Sequence, residues 1–188
     1  MARRTKLDPH TKDARDPLEL LARMRVGSSF RVPAQGGGGG GLTSADVAGA
    51  LGLMKDKLAK TVIVAVATQD GYRGSLKITK AAYRRVFRAV AERTTKETLD
   101  LHKPADRMRL RIALHNAAYE LIYPEHHQSW AALAKAAKMR RSSYISIHKV
   151  CTSVLQEQMN NGRREFTWRL KSQGGRKRSH LVGEGESP

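Results

Sequence analysis

The residues best suited to chemistry lie in one stretch, Ser129 to Val150, SWAALAKAAKMRRSSYISIHKV. Two helices joined by a tight turn need a small residue where they cross and apolar anchors on the second helix. Ala134 has the size for the crossing, and Met139, Tyr144 and Ile147 have the spacing for the anchors. The pattern predicts a helix-turn-helix over residues 129–150. Its second helix then carries Arg140, Arg141, Ser142, Ser143, Ser146 and Lys149 on the outside, close to its N-terminal end. That end is the one that enters a major groove, where arginine bonds guanine through two donors and serine serves bases or phosphates. One position departs from the pattern: Lys138 occupies a turn site where glycine is the usual choice, because a left-handed backbone costs glycine least. The competing reading is two ordinary packed helices with a solvated basic end.

A second stretch, Leu42 to Val62, repeats the spacing through Ala48, Gly52, Leu53 and Leu58. Its second helix offers Lys55, Lys57 and Lys60 together with Asp56, a face less suited to phosphate, so base reading and plain core packing stand level. Farther along, arginines at 84, 85, 88, 107, 109 and 111 are candidate phosphate contacts, with a solvated surface as the plainer account. Arg163, Arg164, Arg169 and Lys171 alternate with Phe166 and Trp168, a mixture suited either to RNA or single strands, where rings stack on bases, or to docking on a protein.

Catalytic and metal-binding patterns are weak by comparison. Glu125, His126 and His127 are chain neighbours whose side chains diverge, and His115 and Glu120 lack the offset of a metalloprotease helix. Cys151 falls among Val150, Val154 and Leu155 and reads as a buried small hydrophobe. The glycine run Gly36 to Gly41 has no following Gly-Lys-Ser/Thr and reads as a tether rather than a phosphate loop. The expectation is a protein that is not an enzyme and takes no cofactor and no metal.

The 188-residue chain has 35 Lys plus Arg against 17 Asp plus Glu, a formal net charge of +18. Residues 42–160 alone hold 20 basic and 10 acidic side chains, so more than half of the excess belongs to the part expected to fold. A soluble protein of this charge most often works against a polyanion, with nucleic acid first. The longest apolar run, Val62 to Ala67, is too short to span a bilayer, which needs about 20 residues. A single cysteine excludes an internal disulfide and fits a reducing, cytoplasmic setting. Double-stranded DNA is the expected partner, RNA through the tail a further one, and a membrane is not expected.

The elements that must position these residues are helical, and the expected fold class is all-α: a small bundle with one or two helix-turn-helix motifs. Residues 1–41 read as a flexible arm and glycine-rich linker, within which Pro17 to Met24 can form two helical turns. Residues 42–160 read as the folded domain, and 161–188 as a basic, disordered tail. Thr43 or Ser44 caps a first helix that Gly52 stops. The segment after Lys55 has helical spacing, but its β-branched run Thr61 to Val66 also suits a strand. Thr79 to Arg93 is amphipathic, Pro104 opens a helix that Pro124 stops, and a long helix is expected from Ser142 to Met159, closed by Gly162.

Two segments carry a family resemblance. LTSADVAGALGLMKDKLAK, Leu42 to Lys60, resembles the opening of the shared region of lambdoid phage late-gene antitermination proteins of the Q type. LRIALHNAAYELIY, Leu110 to Tyr123, is similar to the central helix of that family. The resemblance implies a phage protein that binds a promoter-proximal DNA element, engages paused host RNA polymerase with its sigma factor, and suppresses pausing and termination. It also implies a polymerase contact on the apolar surface around Leu42 to Val62. Members with a zinc-binding cysteine cluster carry it after the central helix; here Pro124 to Gln128 contains no cysteine, and zinc is not implied. The rivals to antitermination are a helix-turn-helix repressor or activator and an RNA-binding or nucleoprotein role.

Overall fold

Capping residues set most of the helix boundaries. Thr43 and Asp46 close a capping box: the Asp46 amide donates to Thr43 Oγ1 at 3.3 Å and the Thr43 amide donates to Asp46 Oδ2 at 2.8 Å. Asp56 accepts from the amides of Leu58 and Ala59, Pro104 opens its helix at the first turn, and Ser129 Oγ accepts from the Ala132 amide. The computed structural model describes residues 17–26, 43–93, 99–126 and 128–182. All its regular elements among them are helices: α1 Pro17–Val26, α2 Ser44–Gly52, α3 Lys57–Thr68, α4 Gly71–Arg93, α5 Pro104–Ile122, α6 Trp130–Ala136 and α7 Arg141–Val182.

The ambiguous run Thr61 to Val66 is helical. It resembles a strand because α3 is apolar on two sides, each buried against a different cluster. Val62 and Ala65 enter a first core with Ile78, Val86, Leu110 and Leu114 of α4 and α5 and with Tyr144, Ile147 and Leu155 of α7. Ile63 enters a second core with Leu18, Leu21, Val47, Met54, Phe166 and Leu170. Helix α7 runs through both.

Four expectations are corrected. The N-terminal arm is not wholly loose, because α1 packs on α3 and α7 and buries Leu18, Leu20 and Leu21. The glycine run lies outside the described residues. Helix α4 starts at Gly71, about two turns before Thr79; its opening turns lack an apolar stripe and are held instead by the buried Gly74 and Ser75. Gly162 does not close the last helix, and the tail expected from residue 161 is helical, with Phe166 fully buried and Leu170 nearly so. Glycine weakens a helix interior, yet here it is required: a Cβ on Gly162 would lie 2.5 Å from Ile63 Cγ2 and 2.9 Å from the Ala59 carbonyl oxygen. The two helices cross backbone to backbone at that point. Finally, the second turn motif keeps its anchor Leu58, which is buried in the first core, but not its crossing and turn positions. Ala48 and Leu53 are exposed, whereas Val47, Ala50 and Met54 are buried, and the chain leaves α2 through Leu53 in right-handed backbone.

Candidate nucleic-acid interface

At residues 129–150 two helices, α6 and α7, are joined by a short turn. Ala134, 3% exposed, sits where α6 meets α7, and the Met139 amide donates to the Ala134 carbonyl at 3.0 Å. Lys138 adopts φ +52°, the left-handed conformation for which glycine is preferred. That kink reverses the chain within a few residues and starts α7 at Arg141.

Helix α7 is then clamped to α5. Tyr144 and Ile147 are fully buried, and Asn116 Nδ2 donates to the Tyr144 hydroxyl at 2.9 Å. Burial pushes the Tyr144 phenol up to about 12, and the Asn116 bond opposes that rise without cancelling it. One turn on, His148 is buried with its ring edge-on to Trp130 at 4.9 Å between centroids. Glu120 Oε2 lies 3.2 Å from His148 Nε2 but out of line for a hydrogen bond, so the contact is one of charge proximity. Burial lowers the His148 pKa and the Glu120 carboxylate pulls it back only in part. Asn116, Glu120, Trp130 and His148 are positioning residues that sequence reasoning misses. Trp130 directly follows a capping serine and is the most readable of them; the Glu120–His148 pair joins distant parts of the chain and leaves no local signal.

With Tyr144, Ile147, Cys151 and Leu155 turned inward, the opposite face of α7 points to solvent. Arg140, Arg141, Ser142, Ser146 and Lys149 are exposed, and Ser143 is half-buried at the edge of the face. Lys135 and Lys138 are also exposed beside this end, an addition the sequence pattern does not assign. None of these five cations forms an ion pair with a described residue.

The secondary set gathers elsewhere. The Lys55 amide donates to Glu165 Oε1 at 2.8 Å, and Gly162 abuts Ala59, so Lys55, Lys57 and Lys60 lie near Arg163, Arg164 and Arg169. This group begins 22 residues along α7 from Arg141, or about 33 Å at 1.5 Å per residue. It is also partly spent on internal contacts. Arg169 lies over the Trp168 ring at 4.5 Å and 3.7 Å from Glu165, and Arg164 donates to Asn161 Oδ1. With Phe166 in the core, the alternating rings and cations read from the tail do not form one surface.

The features set aside for catalysis have structural positions. Cys151 is fully buried, which pushes its thiol up to about 12 and keeps it protonated. His115 Nε2 lies 3.0 Å from the buried Ser75 hydroxyl, and His126 packs against Tyr123. Among the described residues no group of His, Cys, Asp and Glu could hold a metal ion; His127 lies outside them. No helix among them is long and apolar enough to cross a membrane. In comparisons with known proteins, no family, no curated protein and no solved structure matches the chain.

Proposed function

We propose that this chain is a DNA-binding regulator of transcription that reads a duplex through a helix-turn-helix at residues 129–150. The observation that carries the reading is the cluster of exposed cations at the α6–α7 turn that form no ion pair with a described residue, next to exposed serines on the first turns of α7. Arg140 and Arg141 supply base-edge contacts, Ser142 and Ser146 bases or phosphates, Ser143 an edge contact, and Lys135, Lys138 and Lys149 phosphate contacts that fix the register. The formal charge of +18 supplies the sequence-independent attraction.

Antitermination is the most specific form of this proposal. It is supported by the resemblance of Leu42 to Lys60 and Leu110 to Tyr123 to the Q-type antiterminators, in which case the protein also engages host RNA polymerase. Leu53, 53% exposed next to Lys55, gives the first of these segments an apolar point on its surface for such a contact.

Selection from a pool of random-sequence duplexes tests the DNA reading. The wild-type protein is expected to enrich a defined sequence, and Arg140→Ala with Arg141→Ala to lose that enrichment while keeping the helical circular dichroism of the wild type. Removing one bidentate arginine–base pairing costs about 1–3 kcal/mol of discrimination. Equal enrichment by the double variant sinks the assignment. Retention of polymerase subunits on the immobilised protein after nuclease treatment separates antitermination from a simple repressor or activator.

A further inference from the structure

Six arginines of α4 and α5 look alike in the sequence, but the structure divides them. Arg85 donates to Asp56 Oδ2 at 3.0 Å and to Gln158, and Arg109 donates to Asp106 Oδ1 at 2.6 Å, so both are engaged inside the fold. Arg84, Arg88, Arg107 and Arg111 are exposed, and none forms an ion pair with a described residue. On α4, Arg73, Lys77, Lys80, Arg84 and Arg88 follow one another at steps of three or four residues, and all five are exposed. That spacing aligns them in one stripe about 22 Å long. Asp70, bonded to Lys77 at 3.1 Å, is an acidic partner at the stripe's N-terminal end.

Apolar and aromatic side chains border the stripe on the side facing α5. Tyr72 is 66% exposed, with its ring edge-on to His115, and Leu76 and Met108 are exposed as well. Arg111 lies over the Tyr83 ring at 4.9 Å, joining the two helices on this surface. A duplex backbone has no use for exposed rings beside a row of cations; an unpaired strand uses both, phosphates along the cations and bases on the rings.

We propose that the outer face of α4, with the adjoining start of α5, is a docking surface for a single-stranded nucleic acid, with Lys80, Arg84 and Arg88 along the phosphates and Tyr72 as a platform for a base. Five consecutive cations, with acidic residues only at the two ends of the row (Asp70 and the exposed Glu92), commit the surface to a polyanion, and the bordering rings commit it to an unpaired one. The inference is independent of the α7 reading. His115, which bonds Ser75 of α4, and Asn116, which bonds Tyr144 of α7, are successive residues of α5. They project about 100° apart, so the two surfaces look in different directions from α5.

Fluorescence anisotropy of a labelled oligodeoxythymidylate, titrated with the full chain at several salt concentrations, tests the proposal. Replacing Lys80, Arg84 and Arg88 together by Ala is expected to flatten the slope of log affinity against log salt by about 2, since each single-strand phosphate contact contributes about 0.7. Tyr72→Ala should weaken binding about tenfold with little change in slope, because stacking is insensitive to salt. Arg140→Ala with Arg141→Ala should leave oligonucleotide affinity within twofold, which separates this surface from that of α7. Unchanged affinity and slope in the triple variant overturn the proposal. So does a triple variant that loses binding to polyglutamate while keeping the oligonucleotide, which would mark an acidic protein as the partner. A Tyr72→Ala variant with wild-type affinity also overturns it, leaving only a backbone-tracking duplex contact.

Discussion

Lys138 and His148 show how much of the α6–α7 turn is decided by single residues. Lys138 holds a left-handed backbone at a cost a glycine would not incur, yet it places a cation at the exposed end of the motif. His148 does the opposite, giving up hydration to sit between Trp130 and Tyr144 with Glu120 beside it. Burial holds its pKa below the ordinary imidazole value, so between the two values the unfolded chain binds more protons than the folded one. Stability from this residue is therefore complete above the unfolded pKa of about 6.5 and is lost as pH falls below it. Urea midpoints measured from pH 7.5 down to 5.5 should fall more steeply for the wild type than for His148→Phe, which keeps a ring against Trp130. Parallel slopes in the two proteins would show that His148 is not the titrating group. At this scale the sequence is legible wherever a role is local: Ala134, Tyr144 and Ile147 announce themselves by spacing, and Lys138 by standing where glycine belongs. Asn116 and Glu120 do not, because their partners are 28 residues away in sequence.

Helix boundaries are legible where a cap or a proline sets them and obscure where a tertiary contact does. Thr43, Asp56, Pro104 and Ser129 mark starts through their own chemistry. The end of α7 is hidden because Gly162 resembles a stop signal, and the reason for its presence lies on α3. That reason is testable by contrast with Gly52, which has nothing within 4 Å of a built Cβ and no left-handed backbone. Gly52→Ala should raise the urea midpoint, by up to about 1 kcal/mol from reduced backbone freedom in the unfolded chain. Gly162→Ala gains the same helix propensity but forces a methyl against the Ala59 carbonyl and Ile63, an overpacking that costs about 1–3 kcal/mol. A Gly162→Ala protein as stable as Gly52→Ala would mean that α3 and α7 do not approach as closely as described. The true boundary also changes what the tail is: removal of residues after 160 strips Phe166 and Leu170 from the second core and does more than shed charge.

At the largest scale, the described residues form two apolar clusters, and two helices thread both. Helix α7 places Tyr144, Ile147 and Leu155 in one cluster and Phe166 and Leu170 in the other, while α3 contributes Val62 to the first and Ile63 to the second. Adjacent residues on one helix cannot lose their packing separately without unwinding the turn they share, so the clusters should melt together rather than as independent units. The tryptophans permit a direct check, because the chain has two and Trp130 reports on the first cluster. In a Trp168→Phe background, fluorescence of Trp130 and far-ultraviolet circular dichroism should give coincident urea transitions. Adding Phe166→Ala, which empties a fully buried site in the second cluster at a cost of about 3–5 kcal/mol, should shift the Trp130 transition by the same amount as the dichroism. If the Trp130 midpoint stays in place while the dichroism divides into two steps, the clusters are separate folding units, and the α6–α7 turn would stand on the first alone. Coincident shifts would instead mean that the far end of α7 stabilises the surface proposed to meet DNA at its near end, through about 33 Å of continuous helix.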